Sequence, residues 1–109
     1  MTIQEDQRIF DRFTVRLPVK FVHSEKDFGS AVFLRDASAE GVKVTSQERL
    51  FPNDMVSLAI KLPDMDNPLI LKTKVVWVES KEFDQWDVGL KFHRISFMNI
   101  QKLYKFAVG

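Results

Sequence analysis

The chain has no cysteine among its 109 residues, which excludes disulfides, cysteine-held zinc and thiol nucleophiles together. Glycine is scarce and scattered, at positions 29, 41, 89 and 109, so neither a GxGxxG turn nor a P-loop can be assembled. The two histidines, His23 and His93, lie far apart, and no neighbouring pattern makes either a metal ligand or a general base. Charge of one sign is also lacking. Sixteen Lys and Arg against fifteen Asp and Glu leave a net charge of +1, too little to hold nucleic acid or an anionic membrane by bulk electrostatics. Any anion site must therefore be local. No stretch approaches the ~20 apolar residues of a membrane span, and Met1 to Arg12 has no apolar signal core. A cytoplasmic protein without membrane insertion is expected.

What is present is a folded domain's balance: 45% hydrophobic and 28% charged residues, at a length that supports one core and not two. Residues 1–12 show no sustained period and read as a flexible N-terminal arm. From Phe13 an alternation begins, with Phe13, Val15, Leu17, Val19 and Phe21 on one face, the period of a half-buried strand. Pro18 falls inside it and lacks an amide hydrogen, so an edge or bulge is expected there. Further strands are predicted over 30–35, 42–45, 56–62, 69–77 and 86–92, with Trp77 on the inward side and turn-rich PND and PDMDNP pieces between. Six antiparallel strands in about 80 residues point to a small barrel or sandwich, in which closure hides sheet edges. After Ile95 the period becomes helical: Ser96 is an N-cap candidate, and Phe97, Ile100, Leu103 or Tyr104, and Ala107 form a stripe for a helix of about twelve residues docked on the sheet.

No nucleophile elbow or catalytic constellation is visible, so the chain is not read as an enzyme. Two short patterns carry chemistry instead. Arg8-Ile-Phe-Asp-Arg12 places two arginines at RxxxR spacing in the arm, and Asp36-Ala-Ser38-Ala-Glu-Gly41 gives DxSxxG at the turn between the second and third strands. Arg12 and Arg16 offer a second RxxxR register, but Arg16 lies on the polar face of the first strand. RxxxR alone is a weak signal; its order with DxSxxG ahead of and inside a six-strand pattern makes the pair informative.

With these motifs, the RLPVKF run after Arg12, VVWV at 75–78, VGLKFHRI at 88–95 and the closing helix, the sequence resembles the PilZ domain family of bacterial cyclic di-GMP receptors over nearly its whole length. The resemblance implies an all-β fold, a six-stranded antiparallel β-barrel of split-barrel type over 13–109 with a C-terminal α-helix. It implies a ligand, cyclic di-GMP, no metal and no further cofactor. Arg8 and Arg12 would meet guanine O6 and N7 or phosphate with their planar forks, for which Lys is a poor substitute. Asp36 would accept from a guanine N1 or N2 edge, Ser38 would bond phosphate or base, and Gly41 would allow the tight turn and close backbone approach. Many relatives carry a basic residue before the first arginine where this chain has Gln7, which bears on whether one nucleotide or a stacked pair is taken. With no output domain in the chain, a downstream effector protein is the expected partner, and DNA or RNA is not. The alternative is a PilZ-like protein-interaction domain that binds no nucleotide. A small barrel binding single strands would need a basic groove interleaved with exposed aromatics. The bland reading of Asp36, Ser38 and Gly41 is a hairpin turn whose side chains bond their own backbone and whose glycine takes positive φ.

Overall fold

A computed structural model describes residues 11–94 and 97–108. Seven strands form one antiparallel sheet: β1 (Phe13–Thr14), β2 (Val19–Phe21), β3 (Val32–Ala37), β4 (Gly41–Ser46), β5 (Met55–Ile60), β6 (Leu69–Glu82) and β7 (Gln85–Phe92). One short helix, α1 (Phe97–Tyr104), follows. The strand order is β1-β3-β4-β7-β6-β5-β2, so the sheet curls until its two edge strands are successive in the chain. The expected six-stranded closed barrel is thus corrected to a seven-stranded curled sheet, a half-barrel.

The difference arises at Pro18. Phe13 and Thr14 pair with Ala37 and Asp36 on one edge, whereas Val19, Lys20 and Phe21 pair with Ile60, Ala59 and Leu58 on the other. Pro18 cannot donate to a ladder. Its carbonyl accepts from Lys61 N–H at 2.9 Å, and it bridges Phe33. One continuous alternation therefore serves two edges, and Val15, Val19 and Phe21 are all fully buried in the shared core.

The other strands follow their alternation with shifted ends. Asp36 and Gly41 lie on strands β3 and β4 and not in the turn between them. The β6–β7 hairpin runs out to Phe83 and Asp84, beyond the expected end at Trp77, with Asp84 at φ 57° and the Phe83 side chain almost fully exposed. Helix α1 has eight residues instead of about twelve. Ile100 and Leu103 of its stripe are buried in the sheet's core, while Tyr104 is partly exposed and sets its ring edge-on against Phe13 at 5.0 Å. The chain then returns to β1, with Val108 N–H donating to Thr14 C=O at 2.8 Å and Val15 bridging Ala107. The N-cap candidate Ser96 and the first-motif residue Arg8 lie outside the described residues. No helix among the described residues is long and apolar enough to cross a membrane.

Candidate functional site

Arg12, the described arginine of the first motif, meets Asp36 of the second at the β1 edge of the outer sheet face. Arg12, exposed at the entrance to β1, donates through Nη1 to Asp36 Oδ1. Asp36 is positioned by its pairing with Thr14 on one side and Lys43 on the other, next to a β-bulge at Arg35 in β3. That bulge carries the half-buried carboxylate to the rim beside Arg12, consistent with the tendency of bulges to re-aim side chains.

Ser38 has a turn role. Its N–H donates to Gly41 C=O at 2.9 Å, and its Oγ accepts from Glu40 N–H at 3.2 Å. The bland reading therefore holds for Ser38, but it fails for Asp36, which reaches Arg12, and for Gly41. Gly41 has no positive φ; Gly29 alone does among the described glycines. What requires a glycine at 41 is proximity: a Cβ there would sit 2.0 Å from Leu90 O and 3.0 Å from Lys91 Cα. The tight-turn explanation of Gly41 gives way to close approach of β7.

Arg12, Ser38 and Gly41 line a shallow surface cleft of about 180 Å³, together with Lys43, Trp77 and Lys91. Asp36 stands at its edge, tied in through Arg12. The cations on this lining outnumber its single acid, Glu40, and Lys43 is only loosely engaged by Asp87 at 4.0 Å. With Arg12 paired to Asp36, Lys91 is the cation of this lining that has no acidic partner among the described residues.

Trp77 is the residue that periodicity misplaced. A register shift between Val75 and Trp77 inserts Val76 as an extra residue, so Trp77 turns to the outer face opposite Gly89 and is 40% exposed. Its indole lies directly on Gly89: an added Cβ would be 2.2 Å from Nε1 and 2.4 Å from Cε2. Gly89 within a strand was the available signal, because such a glycine often marks close approach of another group. Trp86, by contrast, is half-buried beneath the Arg49 guanidinium, 5.1 Å from its ring.

Neither histidine joins the cleft: His23 stacks on Phe21 at 5.9 Å, and His93 lies beyond the end of β7. Among the described residues no three potential metal ligands are gathered.

An open cleft on the outside of a curled sheet, ringed by cations and a bare indole, is the geometry of a small surface-binding β-module. The chain belongs to the PilZ domain family, whose profile matches residues 6–108. PilZ domains are regulatory receptors of cyclic di-GMP signalling, not enzymes. Among solved structures, the chain is similar in fold to the Bacillus subtilis inhibitor of motility MotI/DgrA, with a TM-score of 0.64 and 17% identity. The similarity covers 89% of this chain and 47% of that one, so this chain spans about half the length of its structural relative. No curated protein sequence matches.

Proposed function

We propose that this chain is a bacterial receptor that binds cyclic di-GMP through Arg8, Arg12, Asp36, Ser38 and Gly41, orders its N-terminal arm on the sheet, and signals to a downstream protein. The observation that carries this reading is the meeting of Arg12 with Asp36 at the rim of a cationic cleft floored by Gly89 and Trp77.

Cyclic di-GMP presents two phosphates and two guanines. Arg12, on the arm side of the cleft, suits a guanine edge or a phosphate. Its partner would not prevent this: an exposed ion pair is worth about 0–1 kcal/mol, whereas a bidentate arginine contact to guanine is worth about 1–3 kcal/mol. A guanine N1 or N2 edge could then replace Arg12 on the Asp36 carboxylate. Lys43 and Lys91 supply charge for phosphate, and the exposed indole of Trp77 supplies a stacking face, a contact worth about 1–3 kcal/mol per base. A few such contacts reach the roughly 8.2 kcal/mol of a micromolar complex after ordering of the arm is charged against them.

Calorimetric titration with cyclic di-GMP tests the reading on the wild type, Arg8→Ala and Arg12→Ala. Micromolar binding lost in both variants supports it, and the stoichiometry separates one nucleotide from a stacked pair. No heat and no ligand-induced rise in melting temperature refutes it and leaves the protein-interaction alternative.

A further inference from the structure

Beyond the nucleotide cleft, the outer face of β6 and β7 carries a second basic feature. Lys74 stands directly opposite Lys91, and Lys72 opposite His93, whose N–H donates to Lys72 C=O at 2.9 Å. Arg94 follows. Like charges facing each other across a sheet oppose its formation, and among the described residues none of these three lysines has an acidic partner. The row borders a groove of about 370 Å³ between the β6–β7 end and α1, lined by Lys72, His93 and Arg94 over an apolar floor of Ile70, Phe92 and Ile100. Partly exposed Ile70 and exposed Met55, paired with Lys74, extend that apolar character along the row.

We infer that this groove and lysine row dock an acidic, amphipathic segment of a partner protein. Carboxylates would neutralise Lys72, Lys74, Lys91 and Arg94, and an apolar side chain would enter the groove over Ile70 and Ile100. The alternation of cations with aliphatic surface favours such a segment over a nucleic acid strand. A strand needs several exposed aromatic platforms, and beyond the single His93 imidazole the exposed side chains of this row are aliphatic or cationic. The surface requires no nucleotide. Lys91, however, lines both the groove's row and the nucleotide cleft, so occupation of one alters the charge available to the other.

The test is fluorescence anisotropy of the intact chain with a labelled peptide of alternating Glu and Leu, its Gln/Leu counterpart, and an oligothymidylate, without cyclic di-GMP. The expected result is binding of the Glu/Leu peptide that weakens with salt. It should be at least tenfold weaker for the Gln/Leu peptide and for Lys72→Glu/Lys74→Glu, with the melting temperature of that variant retained. Lys91→Glu, on the neighbouring strand, should weaken the same peptide independently. Absence of peptide binding, equal binding by both lysine variants and wild type, or tighter binding of the oligothymidylate overturns the inference. A chain that fails to bind cyclic di-GMP but binds the peptide in this pattern would refute the receptor reading and keep this one.

Discussion

Alanine at Gly41 and at Gly89 should have opposite consequences, although both glycines sit on the outer face of neighbouring paired strands. At Gly41 the new methyl meets backbone, with Leu90 O at 2.0 Å and Lys91 Cα at 3.0 Å, so β4 and β7 must separate. Overpacking of this kind costs about 1–3 kcal/mol. Because the obstacle is main chain, the upper end applies; at about 4–8 °C per kcal/mol for a domain of this size, melting should fall by about 12–24 °C. At Gly89 the three atoms nearest the new methyl all belong to the Trp77 indole, at 2.2–2.8 Å, and a partly exposed side chain can rotate away. Lost indole packing is partly offset by the reduced freedom of the unfolded chain, worth about 0.4–1 kcal/mol, so melting should change by no more than a few degrees. The displaced indole, however, removes the stacking face, and about 1–3 kcal/mol of affinity corresponds to a roughly 5- to 150-fold loss. Scanning calorimetry and cyclic di-GMP titration of both variants separate the effects. Gly41→Ala melting with the wild type, or Gly89→Ala binding nucleotide undiminished, would refute the reasoning.

Three further outcomes follow from the packing. Thr73 is fully buried and its hydroxyl donates to Val56 C=O at 2.9 Å; Thr73→Val should cost about 1 kcal/mol, read as a fall of about 4–8 °C in melting temperature. Leu103→Ala removes a fully buried contact of α1 at about 2–5 kcal/mol, lowering melting by about 10 °C or more and, through the return of the chain to β1, speeding amide exchange at Val108. The Lys105 ammonium, hydrogen-bonded to Asp64 at 2.8 Å, holds that carboxyl below its ordinary value of 3.8. Because the folded pKa is the lower one, the pair's contribution is present above the unfolded value and is lost as pH falls through the folded one. Carbon-detected titration should place the Asp64 midpoint below 3.8 in the wild type and move it up in Lys105→Met.

The buried face of the fold was legible from period-two alternation because burial of one sheet face imposes it. The split of the first alternation between two edges was visible only as Pro18, since a proline announces a broken ladder without saying where the next residues pair. The β6–β7 hairpin outran its expected length because Glu79, Ser80, Lys81 and Glu82 are polar on both faces of β6, so the sequence loses alternation before the backbone loses pairing. The same strand hid Trp77: extending Leu69, Leu71, Thr73 and Val75 by two residues points it inward, and one inserted residue at Val76 reverses that. Bulges leave little local trace, and Gly89 opposite was the only hint. Of the candidate site, the encounter of Arg12 with Asp36 was foreshadowed by the paired motifs. The lysine lining was not, because Lys43 and Lys91 acquire meaning only once β4 and β7 are known to be neighbours.

The most direct test of the receptor reading is an amide and indole NMR titration with cyclic di-GMP. The account predicts saturable shifts at Arg12, Asp36, Ser38, Gly41 and the Trp77 indole N–H, with the β2–β5 edge around Lys20 and Ala59 unchanged. Saturating nucleotide that leaves those signals in place, or moves only the β2–β5 edge, would contradict it.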